Sequence, residues 1–175
     1  MVTRFARCPE DFPKLMELEE NVFGADEHGT LGPDYVRLCC DFFDETCVIA
    51  LDGERSVGYI TSFIRAREAH CTTMAIVDEY QGTWVAALLI RAFLSAIVDR
   101  VDSCWFSVKE DNAAARALHR TLGAEEFDVR QNFYGPGDER IVSKIDQERF
   151  AKLRHRYERL GLVRRRPEPV KSIAT

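Results

Sequence analysis

Apolar residues recur along this chain at two different spacings, and the changes from one to the other lay out its elements. Phe5 to Cys8 is read as a short first strand. From Glu10 to Phe23, residues Phe12, Leu15, Met16, Leu18, Val22 and Phe23 fall near the period of a helix. Gly24 to Gly32 predicts a loop, and Pro33 stands where a first helical turn tolerates it, ahead of Tyr35, Val36, Leu38, Cys39, Phe42 and Phe43. This second helix is expected to end near Asp44. Thr46 to Leu51 and Val57 to Ile64 read as strands on either side of Asp52-Gly53, a two-residue hairpin signal. His70 to Val77 predicts a further strand, followed by a long helix from Gly82 to Arg100 with Val85, Leu88, Leu89, Ala92, Phe93, Ala96 and Ile97 on one stripe. Ser103 to Val108 is the next strand. Asp111 or Asn112 can cap a helix running to about Leu122, where Gly123 suits a C-terminal cap. Strands near Glu126 to Asn132 and Arg140 to Ile145 and a charged helix from Gln147 to Leu160 follow. The order β-α-α-β-β-β-α-β-α-β-β predicts an α/β (α+β) fold, with one mixed, mostly antiparallel twisted sheet of about seven strands flanked by helices. One domain is expected over residues 1–163, with a flexible basic tail at 164–175 that offers no apolar surface to a core.

Bulk properties narrow the function classes. A length of 175 residues with 46% hydrophobic content suits one domain with one core. The formal charge of -5 comes from interspersed acidic and basic residues, so no basic field exists to hold nucleic acid. Six cysteines include no C-x-x-C pair and no histidine at zinc-ligand spacing, which predicts neither a metal site nor a disulfide framework, but reduced and mostly buried thiols. No apolar run reaches the roughly 20 residues of a membrane span, and the first residues lack a signal-like apolar stretch, so a soluble cytoplasmic protein is expected.

The segment most informative about chemistry is Met74-Ala75-Ile76-Val77-Asp78-Glu79-Tyr80-Gln81-Gly82-Thr83-Trp84-Val85-Ala86, an apolar strand that turns into a helix. Free backbone N–H groups at such a helix start suit a pyrophosphate, although any strand-turn-helix produces one. The segment resembles motif A of the GNAT superfamily of N-acetyltransferases, with Gln81 and Ala86 at the ends of its Arg/Gln-x-x-Gly-x-Gly/Ala pattern and Trp84 in place of the middle glycine. Asn112-Ala113-Ala114-Ala115-Arg116-Ala117-Leu118-His119-Arg120-Thr121-Leu122-Gly123-Ala124 resembles motif B of the same family, through Asn112, Ala115, Leu118 and Gly123. The resemblance runs from about Phe5 to Ile145.

The resemblance implies acetyl-coenzyme A as co-substrate, no metal, and direct attack of a neutral amine on the thioester. It places the coenzyme against Met74, Ala75, Ile76, Gln81, Gly82, Thr83, Trp84, Val85, Ala86 and Asn112, with the Met74 N–H on the thioester oxygen. His70 stands where related enzymes carry a glutamate or histidine base, and imidazole has a suitable pKa. A strand histidine that only hydrogen-bonds is the alternative. The motif B tyrosine is replaced by His119, which as imidazolium could protonate the leaving thiolate or could be a satisfied core histidine. Tyr134, in Phe133-Tyr134-Gly135-Pro136, is the competing acid, or an aromatic packed over a turn.

Tyr35 to Ala50 is similar to the corresponding part of diaminobutyrate N-acetyltransferases, which implies a small amino-acid-like amine as acceptor. Glu19, Glu20, Asp26 and Glu27 could hold its charge or could form a solvated face. Phe133-Tyr134 also occurs in ribosomal-protein acetyltransferases, which keeps a protein N-terminus or lysine open as acceptor. Trp84 and the missing motif B tyrosine keep a non-catalytic acyl-coenzyme A binder open. A homodimer is compatible with all three readings.

Overall fold

The computed structural model describes residues 1–24 and 30–161, apart from the side chains of residues 153–155. Seven strands form one sheet in the order β1-β2-β3-β4-β5-β7-β6. The strands are β1 (Val2–Phe5), β2 (Val48–Asp52), β3 (Arg55–Arg65), β4 (Glu68–Ile76), β5 (Ser103–Val108), β6 (Glu125–Arg130) and β7 (Arg140–Ile145). The helices are α1 (Phe12–Phe23), α2 (Pro33–Asp41), α3 (Val85–Ile97), α4 (Ala113–Thr121) and α5 (Gln147–Arg159). The element order read from the sequence is therefore the one found, and only the β4–β5 pairing is parallel.

Several boundaries differ from the reading, each for a local reason. The first strand lies at Val2–Phe5 and not at Phe5–Cys8, because Val2 to Phe5 pair with Leu51 to Val48 and the chain then turns. Asp11 builds that turn. Its carboxylate, fully buried, accepts from the Arg7 N–H at 2.7 Å and from both terminal nitrogens of Arg4, which delays the first helix from Glu10 to Phe12. The third helix starts at Val85 and not at Gly82, because Gly82 takes the left-handed φ of +72° in the preceding turn. The hairpin expected at Asp52-Gly53 is present with its two-residue loop one position later, at Gly53-Glu54, since Asp52 pairs with Arg55, and Gly53 takes φ +60°.

Phe93 of α3 and His119 of α4 both pack on Phe106 of β5, which puts these two helices on one face of the sheet. Tyr35 and Phe43 pack edge-on against Phe63 of β3, at 5.5 and 4.5 Å, on the opposite face beside α1 and α2. Residues of β2, β3, β4, α1 and α3 supply most of the buried apolar core between these layers. One expectation about the cysteines is corrected. Cys8 and Cys40 form a disulfide, with their Cα atoms 5.7 Å apart, joining the turn between β1 and α1 to the end of α2. Cys39, Cys47, Cys71 and Cys104 are free and buried, as expected. The Cys8–Cys40 bridge depends on the approach in space of α2 and the chain that follows β1, which spacing along the sequence does not reveal.

No helix among the described residues is long and apolar enough to cross a membrane. The tail expected at 164–175 lies outside the described residues.

Candidate active site

β4 is the strand that positions the site. Against β3 it pairs along its whole length, from Glu68 opposite Arg65 to Ile76 opposite Gly58. Against β5 it pairs only from Glu68 to Cys71, opposite Ser103 to Phe106. Beyond Cys71 the two parallel strands part, and among the described residues the β5-facing edge of Thr72 to Ile76 has no strand beside it. The parting coincides with a bulge: Thr61 pairs with Thr73 and Ser62 with Cys71, leaving Thr72 without a partner of its own.

Antiparallel pairs alternate between bonded and non-bonded, and this alternation decides which backbone groups face the gap. The Val77 N–H donates to the Val57 carbonyl at 3.1 Å, so Val57/Val77 and Tyr59/Ala75 are the bonded pairs. Met74 and Ile76 are the non-bonded residues, and their N–H and C=O groups point away from β3 into the opening. Ala75 directs its own polar groups to β3, so its expected place in the coenzyme site comes only through its neighbours.

At the end of β4 a 3-10 turn, Asp78–Tyr80, leads to Gly82 and α3. The turn is held from within. Gln81 Nε2 donates to Asp78 Oδ1 at 2.9 Å and to the Ile76 carbonyl at 3.3 Å, Thr83 Oγ1 donates to the Tyr80 carbonyl at 2.6 Å, and the Tyr80 hydroxyl donates to Asp52 at 2.7 Å. Thr83 Oγ1 also accepts from the Val85 N–H at 3.4 Å, and the Val85 side chain is in the core. Among the described residues, the N–H groups of Gly82, Trp84, Ala86 and Ala87 have no protein acceptor. They form a cluster of donors at the positive end of a 13-residue helix, a few residues from the open edge of β4. Trp84 is exposed at this turn.

Alternation also places the histidines. His70 pairs across the sheet with Phe63 and Trp105, on the α1/α2 face. It is half-buried and makes no hydrogen bond among the described residues. Burial, and to a lesser extent the charge of Arg130, hold its pKa below the ordinary value of 6.5, so the ring is neutral at pH 7. His119 lies on the opposite face, stacked on Phe106 at 4.5 Å with its Nδ1 3.2 Å from Ser143 Oγ. Burial pushes its pKa down to about 4 against a small opposing pull from Glu126, so it too is neutral. An imidazolium at this position, which the acid role requires, is disfavoured by that burial.

Tyr134 sits in the turn between β6 and β7, exposed, with its ring edge-on to Phe133 at 4.7 Å and under the Arg140 guanidinium at 5.0 Å. Asn112 uses its side-chain oxygen to cap α4, accepting from the Ala115 N–H at 3.0 Å, and Gly123 closes that helix at φ +86°. Its motif position is thus occupied by a structural duty.

Two residues that the sequence does not mark lie together at the bulge of β4. Tyr35 of α2 lies against Thr72 at the bulge, and burial pushes its phenol pKa up, with Thr72 opposing that shift while Cys39, Tyr134 and Cys71 add to it. Thr72 Oγ1 is 3.0 Å from Thr61 Oγ1. Neither carries a motif signal, since a tyrosine on a helix stripe and a threonine in a strand are ordinary core-facing residues. Of the acidic residues, Glu19 is buried at 1% exposure and accepts from the Leu31 N–H, whereas Glu20 is exposed. Asp26 and Glu27 lie outside the described residues. Among the described residues no group of three or more His, Cys, Asp or Glu gathers as a metal site would require.

A family model, acetyltransferase (GNAT) family, matches residues 12–124. The [ribosomal protein bS18]-alanine N-acetyltransferase of Haemophilus influenzae is 27% identical over 140 residues, 77% of this chain and 87% of that protein. An L-2,4-diaminobutyric acid acetyltransferase of Halalkalibacterium halodurans is 29% identical over 100 residues, 55% of this chain and 53% of its own, so the chain spans about half the length of that relative. Among solved structures, the diaminobutyrate acetyltransferase of Paenibacillus lautus, in complex with L-2,4-diaminobutyric acid and coenzyme A, shares the fold. Its TM-score is 0.66 at 18% identity, over 81% of this chain and 93% of that one.

Proposed function

The chain belongs to the GNAT family of acetyltransferases, and we propose that it moves an acetyl group from acetyl-coenzyme A to the primary amine of a small amino-acid-like acceptor by direct attack. The observation that carries this reading is the continuous donor edge. The outward N–H and C=O groups of Met74 and Ile76 lead into the free N–H groups of Gly82, Trp84, Ala86 and Ala87. Such an edge fits a ligand that is extended and amide-bearing at one end and anionic at the other. The pantetheine arm lies along β4 as an added strand and the pyrophosphate sits on the helix start.

The chemistry assigned to the chain's own groups is then simple. The Met74 N–H donates to the thioester oxygen as negative charge builds there. His70, neutral and unbonded, takes the proton that the amine loses as its nitrogen bonds to the acyl carbon and the carbon–sulfur bond breaks. Tyr134 is the better candidate to return a proton to the thiolate, because buried His119 lacks the charge that role needs. Tyr35 and Thr72 hold the amine from the α2 side. Tyr35→Phe is expected to raise the KM for the acceptor by roughly three- to tenfold, as loss of one hydrogen bond of about 1 kcal/mol implies, with coenzyme affinity unmoved. Equal KM values in steady-state assays would remove Tyr35 from the acceptor wall.

A second reading, a protein N-terminus as acceptor, has one observation in its favour. Beyond His70, Trp105 and Phe127 lie edge-on at 5.2 Å with Phe127 exposed, and Tyr134 is exposed in the turn that follows β6. An extended peptide could lie along these rings. The test combines titration calorimetry against acetyl-coenzyme A with release of free thiol. The acceptors are L-2,4-diaminobutyrate, ornithine and lysine in one set and peptides with a free N-terminal alanine in the other. Turnover with the first set and not the second supports the proposal, and the reverse transfers it to the peptide reading. Heat of binding without turnover on any amine would leave a non-catalytic binder. No heat at millimolar coenzyme would defeat all three.

A further inference from the structure

Trp84 stands where motif A usually carries a glycine, and its surroundings give it a use. Its φ of -71° and ψ of -3° are ordinary for the residue before a helix, so no strain attends the replacement. The side chain is 56% exposed and touches no aromatic ring or cation among the described residues. In front of the turn the space is open, since nothing lies within 4 Å of where a side chain at Gly82 would begin.

The Trp84 N–H is itself one of the four free donors of the cradle. A side chain attached to such a donor begins within a few ångströms of whatever the cradle holds, so the indole borders the bound group. A bare phosphate gains nothing from an indole beside it and loses some access. A phosphate joined to an aromatic base gains a stacking surface, and base–aromatic stacking is worth about 1–3 kcal/mol per base. Of the parts of coenzyme A, only the adenosine end combines anionic groups with such a base.

We infer that Trp84 is a stacking platform for the purine base of the coenzyme, so that this chain recognises its acyl donor partly through the nucleotide, where a glycine would contribute backbone alone. The inference rests on the reading of the chain as an acyl-coenzyme A enzyme.

The chain has two tryptophans, so Trp105→Phe leaves Trp84 as the only indole emitter. In that background, coenzyme A and adenosine 3′,5′-bisphosphate are expected to quench and shift the Trp84 emission, whereas 4′-phosphopantetheine leaves it unchanged. By calorimetry on the otherwise native chain, Trp84→Ala should weaken coenzyme A by roughly ten- to a hundredfold, and Trp84→Phe should recover much of that loss. The affinity for 4′-phosphopantetheine should not move. If coenzyme A binds, yet the emission stays fixed and Trp84→Ala binds as tightly as or tighter than the native chain, the indole is not a platform and this inference falls alone. If the native chain binds neither coenzyme A nor the bisphosphate, the acyltransferase reading falls first.

Discussion

Replacing His70 with alanine is expected to lower kcat by about 10²–10⁴-fold, the usual range for loss of a positioned general base, while the affinity for acetyl-coenzyme A stays nearly unchanged. The separation follows from placement. His70 points to the α1/α2 face opposite Phe63 and Trp105, whereas the coenzyme edge is formed by backbone of Met74 and Ile76 further along β4. A pH profile distinguishes a base from a packing residue. The neutral ring is the active form, so kcat/KM falls as pH drops through the His70 pKa, which burial and Arg130 hold below 6.5. That acid limb should disappear in His70→Ala and persist in His119→Gln. If His70→Ala keeps near-native turnover, the amine loses its proton elsewhere. If coenzyme affinity and folding collapse together, His70 is a core residue.

The order of elements was legible because strands and helices here bury one face each, and their apolar periods are strong. What was not legible lies where side chains override those periods. Asp11 stops β1 early by accepting from Arg4 and Arg7, an interaction whose partners sit on both sides of a turn. The backbone part of the site was readable, since the strand-turn-helix at Met74 to Ala86 carries its own donors. The side-chain part was less so. Tyr35 reaches the site only because α2 lays it against the bulge at Thr72, and a one-residue bulge has no mark in a strand pattern. Asn112 was readable both as a cap and as a motif residue, and its oxygen is engaged in the cap. Glu19 stands in the sequence among other charges, and the fold buries it beneath the chain that returns at Leu31.

That burial leads to the second large effect, on stability. Desolvation raises the Glu19 pKa from 4.5 to about 7, with the Leu31 N–H opposing it, and Oε1 has no hydrogen-bond partner among the described residues. A raised folded-state pKa contributes stability that is whole below the unfolded value and is lost as pH rises from about 4.5 to about 7. His119 behaves in the mirror sense. Its pKa falls from 6.5 to about 4, so its contribution is whole above 6.5 and is lost as pH falls toward 4. Between about pH 4.5 and 6.5 folding therefore binds one proton at Glu19 and releases one at His119, and the two slopes cancel. Each single group, freed of the other, carries a slope of up to about 1.4 kcal/mol per pH unit.

Glu19→Gln keeps an acceptor for the Leu31 N–H and removes the titration. The variant should gain stability relative to the native chain as pH rises, by at most about 3 kcal/mol at pH 8, which corresponds to several degrees in Tm for a chain of this size. Between pH 4.5 and 6.5 its unfolding free energy should climb steeply with pH, now that the proton release at His119, with His70 acting in the same sense, is no longer offset by Glu19. His119→Gln should show the opposite slope over the same window. Urea unfolding at half-unit steps from pH 4.5 to 8 reads both. Parallel curves for the native chain and Glu19→Gln would mean that Glu19 is ionised and solvated in the folded protein, and that its buried position does not hold in solution.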